Sequence, residues 1–88
     1  MARRAVVHGV VQGVGFRYFA HRAARELGIR GWVRNRPDGS VETVAEGDEG
    51  AVAEYLARLE RGPAGARVER IEVVAAAIES FSAFEVTR

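Results

Sequence analysis

Neither cysteine nor lysine occurs anywhere in the 88 residues, and the two absences exclude whole classes of chemistry. Without cysteine there is no disulfide framework, no thiolate nucleophile, no cysteine-ligated zinc and no soft copper site. Without lysine there is no Schiff-base chemistry and no Walker-type phosphate loop. All thirteen basic residues are arginines, and the formal net charge is only +1. A charge that small gives no overall basic field, so nucleic acid is not an expected partner. No apolar run approaches the roughly 20 residues needed to cross a bilayer. Met1-Ala2-Arg3-Arg4 leads into a strand without a signal-peptide core, so a cytoplasmic protein with no membrane partner is expected. What is present is an ordinary globular balance, 48% hydrophobic and 28% charged residues. That balance and the length fit a single domain, residues 1–88, with one two-layer core, expected as a monomer.

Residues 5–12, Ala-Val-Val-His-Gly-Val-Val-Gln, are rich in β-branched side chains and read as a buried first strand ending at Gly13. Phe16, Phe19 or Ala20, Ala23 and Leu27 then recur at helical spacing, with Gly28 where a C-cap glycine belongs. The spacing predicts a helix over about 16–27. Gly31–Asn35 reads as a second strand, and Pro37-Asp38-Gly39 is a turn signal before Ser40–Glu46 alternates as a third, so the two form a hairpin. Asp48 is placed to cap a second helix over about 49–61, carrying the stripe Val52, Tyr55, Leu56 and Leu59 and stopped by Gly62-Pro63. Val68–Val74 alternates as a fourth strand, and Phe84-Glu85-Val86 suggests a short fifth. The order β-α-β-β-α-β plus one strand predicts an α+β, ferredoxin-like sandwich, one antiparallel sheet carrying both helices on one face.

Gly13-Val14-Gly15-Phe16-Arg17 joins the first strand to the first helix. Successive N–H groups in a glycine-rich turn form a concave nest, and the helix N-terminus adds unpaired N–H groups and its positive dipole end. A phosphate suits such a turn, and the guanidinium of Arg17 can hold two of its oxygens at once. Glycines also occur in strand-to-helix turns only because the backbone needs positive φ, and the five residues alone leave both readings open. Topology adds a second group. A β-α-β crossover sets its two strands parallel, so the turn at Gly13 and the strand end at Asn35 fall at one edge of the sheet although 22 positions separate them. Asn35 beside a proline-containing turn would otherwise read as a turn former.

Nest, arginine and carboxamide suit a substrate that is easy to break. In an acyl phosphate the leaving group is a carboxylate whose conjugate acid has a pKa of about 4, so departure needs no general acid. Arg17 and the amides of Gly13, Val14, Gly15, Phe16 and Arg17 would neutralise the phosphoryl oxygens, and Asn35 would aim a water in line at phosphorus. The water's proton would pass to a phosphoryl oxygen of the substrate, and neither metal nor cofactor is called for.

His8-Gly9-Val10-Val11-Gln12-Gly13-Val14-Gly15-Phe16-Arg17 resembles the signature of the acylphosphatases, and Gly28–Glu42 resembles the strand-turn-strand block that carries that family's asparagine. The resemblance runs over essentially the whole chain. It implies a cofactor-independent hydrolase of the carboxyl-phosphate bond, with Arg17 binding phosphate, Asn35 orienting the nucleophilic water, a small acyl phosphate as substrate and inorganic phosphate as product. Val10 departs from the pattern, since many relatives carry a basic residue there. Similar domains open much larger hydrogenase-maturation proteins, and at this length a free-standing enzyme is expected.

His8 within an apolar strand and His21 on a helix read as structural or solvated. Phe16 and Trp32 read as core aromatics, and Arg22, Arg25, Arg34 and Arg36 as a solvated basic rim. An RNA-binding module of the same fold is the rival from another class, but its aromatic motif lies on the third strand, whereas Phe16 and Phe19 follow the first and enter a helix. A non-catalytic anion sensor shares the same nest, and only turnover separates it from an enzyme.

Overall fold

A computed structural model describes all residues, 1–88. Its elements are β1 (Ala2–Val10), α1 (Phe16–Leu27), β2 (Arg30–Asn35), β3 (Val41–Glu46), α2 (Glu49–Arg61), β4 (Arg67–Ala75) and β5 (Phe84–Val86). They form one five-stranded sheet in the order β4-β1-β3-β2-β5, with both helices on one face. Both helices have the bounds that the sequence predicts. Gly28 closes α1 in the left-handed region at φ 69°, and its N–H bonds the carbonyl of Ala24. Asp48 occupies the N-cap of α2 through its backbone alone, since Val52 N–H reaches its carbonyl at 2.9 Å and its side chain makes no capping bond.

The expected all-antiparallel sheet needs correction. β1, β2, β3 and β4 pair antiparallel with one another, but β5 pairs parallel with β2, at Gly31↔Phe84, Trp32↔Glu85 and Val33↔Val86. The reason is directional. β4 ends at the edge where β2 begins, because Ala75 pairs with Arg3 at the start of β1. The chain then crosses that edge to the far side of the sheet, so the strand it starts there must run as β2 does. Midway across, the buried carboxylate of Glu46 accepts the N–H groups of Glu79 at 2.8 Å, Ser80 at 3.1 Å and Phe81 at 3.0 Å. Those bonds hold the Glu46 carboxyl below its usual range, the bond from Glu79 foremost and against the opposing effect of burial. The parallel arrangement brings the end of β5 to the edge where β2 ends.

The core lies between helices and sheet. Val7, Val33, Val41 and Ala45 face inward from the strands, Ala20, Ala23 and Ala24 let α1 approach closely, and Val52, Tyr55 and Leu59 contribute from α2. Burying side chains of the size of Leu59 and Val52 contributes about 1.5–3 kcal/mol each. The phenol of Tyr55 meets Thr43 Oγ1 at 2.8 Å, and that hydroxyl donates to the carbonyl of Trp32 at 2.7 Å, so the polar atoms taken inside are paired.

Trp32 does not join the core. Strand alternation turns Val33 toward the helices, which places Trp32 half-buried on the open face, where the Arg34 guanidinium stands 5.0 Å from the ring centroid. Arg34 is likewise more than a solvated rim, because with Arg4 it binds the buried carboxylate of Glu42. Burial pushes the Glu42 carboxyl up, but the bonds from Arg34 and Arg4 outweigh it and hold the group below its usual range.

Candidate active site

Gly13 and Gly15 both stand in the left-handed region, at φ 75° and 76°, with Val14 between them turned to pack against the core. A Cβ at either glycine would meet nothing within 4 Å, so the requirement is conformational, not a matter of space. Gly15 is the N-cap of α1, and its carbonyl accepts the N–H of Phe19 at 3.0 Å. The first turn of α1 holds no acidic residue and no side chain caps it, so its leading N–H groups point toward the turn. The buried ring of Phe16, 5.9 Å from that of Phe19, anchors this turn in the core.

Arg17 follows on the first turn of α1. Its Nη1 donates to the main-chain carbonyl of Thr87 at 3.0 Å, which fixes the guanidinium plane and leaves its other N–H groups free for an anion. Thr87 is held in turn by its own N–H, which reaches the carbonyl of Val33 at 2.8 Å. Asn35 closes β2 opposite Val41, on the side of the strand that Val33 shares and the helices cover.

These groups meet in one cleft of about 450 Å³, lined by Gly13, Gly15, Phe16, Arg17 and Asn35 together with Val11, Tyr18, His21 and Val86. The volume falls in the range of small-molecule sites. Of the residues singled out in the sequence, the structure brings Gly13, Gly15, Phe16, Arg17 and Asn35 together; Val14 turns its side chain away. No carboxylate lines the cleft, so the positive ends of the turn and of Arg17 stand unopposed. No three His, Asp or Glu side chains cluster to hold a metal ion, and no helix is long and apolar enough to cross a membrane.

Sequence reasoning missed several contributors, Val11 in the cleft wall among them. His21 sits one helical turn beyond Arg17, a spacing that pointed to the same face, and its ring lies 6.1 Å from Phe84. Tyr18 stands at the rim, 72% exposed. Val86 and Thr87 come from the far end of the chain, with no local signal. His8 points elsewhere, its Nε2 lying 3.0 Å from Glu72 on β4.

The turn after Asn35 is tightly closed. Arg36 N–H bonds the carbonyl of Ser40 at 2.9 Å, Gly39 N–H bonds that of Arg36 at 3.1 Å, and Asp38 accepts from the Ser40 N–H at 2.9 Å. The hydroxyl and N–H of Ser40 hold the Asp38 carboxyl below its usual range. The Gln12 amide nitrogen donates across to this turn, to the carbonyls of Arg36 at 2.7 Å and Ser40 at 2.9 Å.

Comparison with known proteins gives a consistent result. The sequence model of the acylphosphatase family matches residues 3–86. An acylphosphatase of Archaeoglobus fulgidus is 49% identical over 86 residues, 98% of this chain and 97% of that protein. The crystal structure of acylphosphatase from Bacillus subtilis superposes with a TM-score of 0.95 at 38% identity, covering 99% of this chain and 98% of that one. That of Thermococcus kodakarensis HypF gives 0.88 at 34% identity, covering all of this chain and 12% of the larger protein. With sequence, fold and the two signature segments in agreement over nearly its full length, this chain belongs to the acylphosphatase family.

Proposed function

We infer that this chain hydrolyses the carboxyl-phosphate bond of small acyl phosphates, releasing a carboxylate and inorganic phosphate. The observation that carries this reading is the meeting of the glycine turn, Arg17 and Asn35 in one cleft, from segments far apart in sequence.

The N–H groups of residues 13–17 and the free edge of Arg17 bind the phosphoryl oxygens and offset their charge as the bond breaks. The carboxamide oxygen of Asn35 accepts a hydrogen bond from a water and aims its oxygen at phosphorus, opposite the leaving group. The new bond forms between water oxygen and phosphorus, the bond from phosphorus to the acyl oxygen breaks, and its electrons leave on the carboxylate. The water's proton passes to a phosphoryl oxygen, so phosphate departs carrying it. The leaving carboxylate is a weak base and needs no acid, so the reaction proceeds without a metal or cofactor. One chain supplies every group in the cleft, which supports a monomeric enzyme, and the charged substrates of this class support a cytoplasmic one. Phe16 and Phe19 pack with α1 instead of lying on the open sheet face, which argues against single-stranded RNA as a ligand.

The test is release of inorganic phosphate from benzoyl phosphate in the presence of a chelator, for the wild type, Arg17→Ala and Asn35→Ala. Arg17→Ala loses both binding and rate, whereas Asn35→Ala loses mainly kcat. A folded wild type that binds phosphate but shows no turnover would make the chain an anion sensor instead.

A further inference from the structure

β1 and β2 are not neighbours, since β3 lies between them. The ladder between β1 and β3 ends at Val7↔Val41, after which β1 continues with β4 alone as far as Val10↔Arg67. The phosphate turn therefore begins beyond the last rung that ties its strand to the hairpin carrying Asn35. A single side chain bridges the gap. Both N–H groups of the Gln12 carboxamide are used, one on the carbonyl of Arg36 and one on that of Ser40. Those acceptors are the residue after Asn35 and the residue before its pairing partner Val41, so they flank the Asn35 pair on both strands. No other hydrogen bond joins residues 11–15 to residues 35–41. On its other side Gln12 is fixed by the chain itself, between buried Val11 and Gly13, the first residue of the turn.

We propose that Gln12 is a positioning residue, setting the distance and angle between the turn that holds phosphorus and the Asn35 that holds the attacking water. This rests on the roles given above to Asn35 and the turn. In-line displacement is sensitive to that geometry, and a misplacement of about 1 Å can cost about 10²-fold in rate. Gln12 does not line the cleft, and both its N–H groups are spent on the hairpin turn, so its loss leaves the turn and Arg17 able to bind an anion. Its two acceptor carbonyls keep the N–H partners they have within the turn, Gly39 for Arg36 and Arg36 for Ser40, so the fold survives the change.

The experiment compares Gln12→Leu, with Gln12→Met as a second donor-free side chain should Leu fail to fold, in wild-type and Asn35→Ala backgrounds. It measures kcat and KM on benzoyl phosphate and the inhibition constant of inorganic phosphate. The expected result is a fall in kcat of about 10- to 100-fold, an inhibition constant within about twofold of wild type, and no further loss of kcat once Asn35 is gone. A kcat within about twofold of wild type, a parallel weakening of phosphate inhibition, or the same loss in the Asn35→Ala background each overturns the proposal. If Asn35→Ala alone leaves kcat unchanged, the reading of Asn35 fails and the proposal with it. If Asn35→Ala is slow but the Gln12 variants are not, only the positioning role fails.

Discussion

Replacing Arg17 with lysine keeps one positive charge beside the glycine turn but removes the fork, and so separates charge from geometry. In the structure one N–H of Nη1 is committed to the carbonyl of Thr87 at 3.0 Å. That contact orients the plane, and in the proposed mechanism the remaining N–H groups would meet two phosphoryl oxygens at once. A lysine ammonium is a point charge on a flexible stem; it can reach one oxygen, or the Thr87 carbonyl, but does not reproduce the oriented pair. Each charge-assisted hydrogen bond contributes about 1.5–3 kcal/mol. With about 1.4 kcal/mol per factor of ten, Arg17→Lys should lower kcat/KM by about 10- to 100-fold. Arg17→Ala, losing both bonds, should lower it by about 10²- to 10⁴-fold. The assay is initial-rate phosphate release at fixed ionic strength, with urea unfolding of each variant to show that the fold is kept. An Arg17→Lys enzyme within about threefold of wild type would refute the reasoning, because charge alone would then suffice and the Thr87 contact would have no bearing on catalysis.

Three further outcomes follow from the scaffold. In Gly31→Ala the new Cβ would stand 1.9 Å from the carbonyl oxygen of Val44 at a φ of +139°, so β2 must move away from β3. Strain of about 1–3 kcal/mol and the loss of one or two ladder bonds at about 1 kcal/mol each give a destabilisation of about 2–5 kcal/mol, read by urea denaturation. Tyr55→Phe removes the donor to buried Thr43 Oγ1 while leaving that hydroxyl its bond to Trp32. It should cost about 1–2 kcal/mol by the same measurement. The carboxyl of Glu46 sits below its ordinary value of 4.5, chiefly through the Glu79 N–H, and so does that of Glu42, whose burial is outweighed by Arg34 and Arg4. Depressed folded-state values mean that these groups bind protons more readily when unfolded. Their stabilisation is complete above the unfolded value near 4.5 and is lost as pH falls through the lower folded values. Thermal midpoints should therefore decline below about pH 5, and less steeply in Glu46→Gln, which also starts from a lower midpoint at neutral pH.

Much of this fold is legible in the sequence because its boundaries carry their own chemistry. Gly28, Gly62-Pro63 and Pro37-Asp38-Gly39 are positions where the backbone must turn, and they mark the ends of both helices and the hairpin. The start of β1 is less legible. Arg3 and Arg4 lie within it, in the middle of the sheet, and a charged pair there reads as a terminus until the buried carboxylate of Glu42 is known to receive Arg4. The direction of β5 is also hidden, since three residues carry no orientation. It depends on which edge β4 reaches and on the capture of the connection by Glu46, a contact 33 residues distant for Glu79.

The site divides the same way, for a reason that concerns the acceptors. The glycine turn and Arg17 are contiguous, and Asn35 follows from the handedness-independent fact that a crossover makes its two strands parallel, so these residues can be found from sequence alone. Gln12 and the Thr87 contact cannot. In each the donor is a distinctive side chain, but the acceptor is a main-chain carbonyl, of Arg36, Ser40 or Thr87, which any residue would supply. Such a bond leaves a trace on one partner only, and no spacing rule links the two. The parts of this site proposed to bind the phosphate therefore lie open in the sequence, whereas the bonds that link them emerge only when the sheet order brings β1, the hairpin and β5 to one edge.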